Sequence, residues 1–212
     1  MSEIVLYDYW RSSASYRVRV ALETIGLDYT TIPIHLLETE HKSQAYLAIN
    51  PQGLVPALGI DGRLMTQSLA IIEYLAERHP DAGILPTDAV GRQRVRALSH
   101  AIAIDIHPVC NLHVVKHVVE LTGDSAARAE WMKTFIGAGL AAFERMLGDR
   151  DTGRFCHGDT QTMADLCLVP QVYNAERWEV DISACQRVLR IAKECRELPA
   201  FKAAHPDVAK LS

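Results

Sequence analysis

Between Tyr9 and Leu22 the chain reads YWRSSASYRVRVAL. Ser12, Ser13 and Ser15 fall within four residues, with Arg11 just before them and Arg17 and Arg19 just after. The run follows a strand-like segment and opens a helical one. The first turn of a helix has free N–H groups and positive dipole character, so it stabilises a thiolate, a carboxylate or a phosphate. Hydroxyls add donors and arginines add charge, so the stretch reads as the mouth of an anion-binding site. The plain alternative, one capping serine with solvated arginines, stays open at this point.

Two further stretches carry related chemistry. In LVPAL (54–58) a proline stands immediately before a strand. If its peptide bond is cis, it fixes a sharp turn where backbone groups at Val55 are free to pair with a peptide ligand. In TQSLAIIEYL (66–75), Gln67 and Ser68 mark a second helix start, suited to an amino-acid carboxylate. Ser68 is expected as the N-cap.

Farther along, HPVCNLHVVKH places His107, His113 and His117 together. His113 and His117 have the i, i+4 spacing of zinc ligands, but no carboxylate or cysteine completes a tetrahedral set, and no metal is expected. In TMADL, Thr162 and Asp165 have capping-box spacing, so Asp165 reads as structural. Arg177, in NAERWEV, follows a helix ending, where it either complements the dipole or binds a carboxylate. Cys110, Cys156 and Cys167 sit among apolar neighbours and read as small core residues.

The elements that hold these residues fall into two parts. Residues 4–8 (IVLYD) read as a buried strand, and 15–25 place Val18, Ala21, Leu22 and Ile25 on one helical face before Gly26. DYTTIPI (28–34) is strand-like, KSQAYLAI is a short helix, and NPQG (50–53) is a turn. VPALGIDGRLMTQ reads as a hairpin turning at Asp61-Gly62, and 68–79 as an amphipathic helix. After the linker-like PDAGILPTDAVGRQ (80–93) the pattern is helical: near 89–122, 125–147, 162–175, 183–195 and 199–204. The fold class is α+β, with an α/β domain at 1–82 and an all-helical domain at 89–212.

Composition narrows the function. The 212 residues are 49% hydrophobic and 23% charged, as in a globular protein. A net charge of -4 gives no general attraction to nucleic acid or anionic membrane. No apolar run approaches a membrane span, and Met1-Ser2-Glu3 leads into a strand without a signal-peptide pattern. Five cysteines with no CxxC spacing disfavour a disulfide framework, so a cytoplasmic location is expected.

The N-terminal half resembles the thioredoxin-like domain of the glutathione transferases, through LVPAL and QSLAIIEYL. SSASYRVRVAL resembles the zeta-class signature Ser-Ser-Cys-Ser-x-Arg-Val-Arg, and NPQGLVPAL, HPVCNLHVVK and MADLCLVPQVYNAER resemble further zeta-class blocks. Ala14 stands where that class usually has cysteine, so a mechanism needing a protein thiol there is excluded. The resemblance implies glutathione as cofactor, with Ser12 hydrogen-bonding its sulfur. It further implies binding by Ser13, Ser15, Arg17, Val55, Gln67, Ser68, His107, Asn111, Leu112 and His113, with Asn111 also near the substrate. A homodimer follows from the same resemblance.

The implied chemistry is cis–trans isomerisation of a conjugated dicarboxylate. A thiolate adds to the double bond, rotation follows, and expulsion of the thiolate gives the trans isomer. Arg11 and Arg177 are expected to hold the substrate's carboxylates, since arginine pairs bidentately with them. The bacterial character of the sequence and Ala14 direct the expectation to maleylpyruvate, in catabolism of aromatic compounds. The alternatives are maleylacetoacetate in tyrosine and phenylalanine catabolism, a general glutathione transferase, and a non-catalytic binding protein of the same fold.

Overall fold

The computed structural model describes residues 3–210, so the expectation at Met1-Ser2 lies outside the described residues. The chain divides into two compact units. One comprises the chain up to Ile84 together with the chain from Leu198 onward; the other is Leu85–Glu197.

In the first unit, β1 (Val5–Asp8) is followed by α1 (Ser13–Ile25), β2 (Thr30–Pro33) and a short α2 (Gln44–Ile49). Then come β3 (Ala57–Ile60), β4 (Arg63–Thr66) and α3 (Ser68–Arg78). The strand order is β2-β1-β3-β4, with β1 and β2 parallel and β3 antiparallel to both its neighbours. The β3–β4 turn forms at Asp61-Gly62, where φ of 52° and 70° suit the twist of a two-residue hairpin. This thioredoxin-like arrangement is the one expected.

Helix α1 is more deeply buried than a single apolar face predicts. Val18, Ala21 and Leu22 are fully buried, and so are Tyr16, Arg19 and Val20. The cause is the end of the chain, which departs from the expected 89–212 helical domain. Its short helices α9 (Pro199–Ala203) and α10 (Pro206–Ala209) return to the first unit, and α9 packs on α1. Tyr16 Oη donates to the Phe201 carbonyl at 3.4 Å, and Arg19 Nε to the Ala204 carbonyl at 3.0 Å. Gly26 closes α1 in a left-handed conformation, φ 78°, with its N–H directed to Leu22 and Glu23 carbonyls.

In the second unit the expected long helix near 89–122 is two helices joined by an irregular corner. Helix α4 (Ala89–His100) is capped by Asp88, whose Oδ1 accepts the Gly91 N–H at 2.8 Å. It then widens to a π-helical stretch, Ala101–Ile106, where His107 N–H reaches back to the Ile102 carbonyl. A turn leads into α5 (Leu112–Thr122), and then α6 (Ala127–Met146). A methyl group at Gly139 of α6 would overlap the Ile106 side chain, so glycine there admits the π-helical stretch against α6. Helix α7 (Met163–Arg177) is buried along most of its length and packs against α4 and α8 (Gln186–Glu197). Its start is the expected capping box, and buried Asp165 also accepts the Cys156 N–H at 2.9 Å. Among the described residues no helix is long and apolar enough to cross a membrane.

Candidate functional site

At the start of α1, Ser12 is the N-cap and its Oγ accepts the Ser15 N–H at 3.2 Å. That leaves the hydroxyl proton of Ser12 for an acceptor outside the helix. Ser13 is buried, and Ser15 is fully buried with a hydroxyl that has no hydrogen-bond partner. Ser15 therefore serves the corner through its main-chain N–H. Ala14 is buried between them.

The three arginines of the stretch have three different surroundings. Arg11 is half-buried, with its guanidinium 5.1 Å from the centre of the Trp10 ring. Arg17 is buried and its Nη1 donates to Ser68 Oγ at 3.3 Å, tying α1 to the start of α3. Arg19, expected to add charge to the anion site, is turned away from it. Its Nη1 pairs with the buried Asp8 carboxylate at 2.6 Å, and its Nη2 donates to the Trp10 carbonyl at 2.9 Å. A guanidinium buried this deeply needs a counter-charge and acceptors, and β1 and the chain end supply them.

The turn before β3 contains a cis Val55-Pro56 bond. The Leu54 carbonyl accepts from Tyr46 Oη and Asn50 Nδ2, both at 2.7 Å. Among the described residues no hydrogen bond engages the Val55 N–H or C=O. Both groups are left unused by the protein itself, which suits pairing with a peptide main chain.

Ser68 is the first residue of α3 rather than its cap. Gln67 takes the cap position with φ 69° and ψ 108°, and no side chain caps the helix. Its Nε2 donates instead to Gln52 Oε1 at 2.8 Å. A non-glycine residue at positive φ is strained, and here the strain leaves the first-turn N–H groups of α3 uncapped beside Arg17. Such a helix start suits a carboxylate.

In the second unit, His107 closes the π-helical stretch and Asn111 is the N-cap of α5 without a side-chain capping bond. Asn111 Oδ1 lies 3.0 Å from His113 Nδ1, so that nitrogen donates. Leu112 and His113 are exposed. His117 pairs with Glu120 at 3.7 Å. Among the described residues no three His, Cys, Asp or Glu side chains are grouped to hold a metal. Trp131 Nε1 donates to the Val109 carbonyl at 3.0 Å and so holds the corner from α6. Arg177 is the last residue of α7, exposed, with its guanidinium over the Tyr173 ring and Nη1 3.5 Å from Asn174 Oδ1.

No cysteine supplies an activated sulfur among those whose acidity is perturbed. Burial pushes the Cys110 thiol up to about 11 and raises those of Cys156, Cys185 and Cys195. Sequence reasoning missed Tyr46, Asn50, Gln52 and Trp131 as residues that fix the site backbone. Asn50 and Gln52 had a signal, in the NPQG turn.

A thioredoxin-like unit with these two helix starts, in a chain that continues as a helical unit, is the build of a glutathione transferase. The family model for the glutathione S-transferase N-terminal domain matches residues 2–77. A maleylacetoacetate isomerase of Rhizobium meliloti (strain 1021) is 62% identical over 210 residues, covering 99% of each chain. The holo structure of a maleylpyruvate isomerase, a bacterial zeta-class glutathione transferase, superposes with a TM-score of 0.94 at 43% identity. It covers 96% of this chain and 97% of that one. A maleylacetoacetate isomerase from Anaeromyxobacter dehalogenans 2CP-1, solved with glutathione in its active site, gives a TM-score of 0.88 at 42% identity. That match covers 97% of this chain and 96% of the other. The chain belongs to the zeta class of the glutathione transferases, with the maleylacetoacetate and maleylpyruvate isomerases.

Proposed function

We propose that the protein is a glutathione-dependent cis–trans isomerase whose substrate is maleylacetoacetate. The observation that carries the reading is the Ser12 hydroxyl, which accepts from Ser15 and keeps its own proton for an anion. Bound glutathione supplies a soft sulfur nucleophile whose reversible addition to the double bond permits rotation. Ser12 donates to that sulfur, and the α1 dipole with the first-turn amide and hydroxyl of Ser13 favours the thiolate. The Val55 N–H and C=O pair with the tripeptide main chain. Gln67 and Ser68, backed by Arg17 and the uncapped start of α3, take its amino-acid carboxylate. In the helical unit the candidates for tripeptide binding are His107, Asn111, Leu112 and His113.

Charge on the substrate is met by arginine. The candidates to take its carboxylates are Arg11 and Arg177, since a guanidinium pairs with a carboxylate by a two-pronged contact. A general transferase for apolar electrophiles fits less well, because such sites are usually walled by apolar side chains.

The 62% identical relative supports maleylacetoacetate. Maleylpyruvate is the second reading, favoured by the structural neighbour with a TM-score of 0.94 and by Ala14. Purified protein assayed on both compounds, with and without glutathione, decides between them. Turnover that ignores glutathione refutes both. Assembly as a homodimer belongs to the proposal, and a monomer in sedimentation equilibrium removes it.

A further inference from the structure

Trp10 carries two cations. The Arg11 guanidinium lies 5.1 Å from the centre of its ring, and Lys210 Nζ lies 5.1 Å from the same point. The two charges are therefore no more than twice that distance apart. Among the described residues neither has a carboxylate partner: the nearby Asp8 is consumed by Arg19. Two cations on one ring without a counter-ion make a positive patch, and an anion bound beside it is favoured.

The placement of Lys210 is built into the fold. Phe201 and Ala204 are buried, and their carbonyls accept from Tyr16 and Arg19 of α1. The His205 ring meets the Tyr16 ring edge-on at 6.2 Å. Arg19 also holds the Trp10 carbonyl, so one buried side chain fixes both the Trp10 main chain and the segment that brings Lys210 to its ring.

We propose that Lys210 is a further substrate-binding residue, which with Arg11 forms a two-cation cradle on Trp10 for a carboxylate of the dianionic substrate. The proposal rests on the isomerase reading for its substrate class. Its test therefore uses a probe that needs no turnover.

The dissociation constant of maleate, and separately of glutathione, is measured by calorimetry on the full chain, on Lys210→Met and on Lys210→Arg. Loss of one charge-assisted contact at a partly exposed site is expected to weaken maleate about tenfold in Lys210→Met. Glutathione affinity stays at the wild-type value, and Lys210→Arg restores maleate binding. With the isomerisation substrate, KM rises by the same factor while kcat is unchanged.

Wild-type affinity for maleate in Lys210→Met overturns the proposal. So does an equal loss of glutathione affinity, failure of arginine to restore binding, or absence of maleate binding by the unaltered protein. Lys210-dependent maleate binding by a protein that isomerises neither compound supports the cradle and sinks the isomerase reading. Isomerase activity with a Lys210→Met variant that binds maleate normally does the reverse.

Discussion

Replacing Ser12 by alanine separates two jobs that one hydroxyl performs. As an acceptor it caps α1 through the Ser15 N–H at 3.2 Å. As a donor it is proposed to serve the sulfur of the bound tripeptide. A hydrogen bond to a charged group contributes about 1.5–3 kcal/mol. At 1.36 kcal/mol per pKa unit, its loss raises the pKa of the bound thiol by about 1–2 units. At a pH below the wild-type pKa the thiolate fraction then falls roughly 10- to 100-fold. The thiolate that remains is more basic and more nucleophilic, with a Brønsted slope of about 0.4–0.5 that returns nearly half of the loss on a logarithmic scale. The isomerisation rate is therefore expected to fall only roughly 3- to 12-fold. The lost cap lowers stability by about 0.5–2 kcal/mol. Thiolate absorbance, titrated with glutathione bound, reads the first effect, and chemical unfolding reads the second. Ser12→Thr keeps both hydrogen bonds and serves as the control. A thiol titration in Ser12→Ala that overlays the wild type, beside the expected loss of stability, refutes the donor role and leaves a cap alone.

Three other outcomes are expected. Arg19→Met leaves the Asp8 carboxylate buried without its partner and costs about 3–5 kcal/mol in chemical unfolding. Asp8→Leu combined with Arg19→Met recovers part of that loss, and a double variant less stable than the single one contradicts the account. The Gly91 N–H holds the Asp88 carboxyl below its usual range, so its stabilisation is present at neutral pH and is lost as pH falls below that range. Asp88→Asn caps without titrating, so its urea midpoint changes less than the wild type's across that acid window; parallel curves count against the cap's role. Arg177→Ala is expected to raise KM for the dicarboxylate about tenfold or more with glutathione affinity unchanged, and an unaltered KM returns Arg177 to the end of a helix.

Local chemistry in this chain was legible wherever a single segment decides it. Ser12 with its helix start, the Asp61-Gly62 turn and the Thr162–Asp165 capping box are each settled within a few residues. What stayed hidden depends on partners far along the chain. Arg19 looks like a third charge for the anion site because nothing in SASYRVRV announces that Asp8 and the Ala204 carbonyl will claim it. Ser68 looks like a cap by residue type, yet Gln67 takes that position at positive φ with its side chain held by Gln52. The break between α4 and α5 is equally silent. Ile102 to Ile106 reads as a continuing helix, and the close approach admitted by Gly139 accompanies the wider turn.

The Arg19 bond to Ala204 spans 185 positions of sequence. Synthesis runs from the other end, so Tyr16 and Arg19 leave the ribosome long before their acceptors exist. Throughout most of translation the nascent sheet and first helix carry an exposed guanidinium and an uncovered apolar flank. The cover over α1 is thus added late, when the segment that begins at Leu198 emerges and seats itself on a helix made long before it.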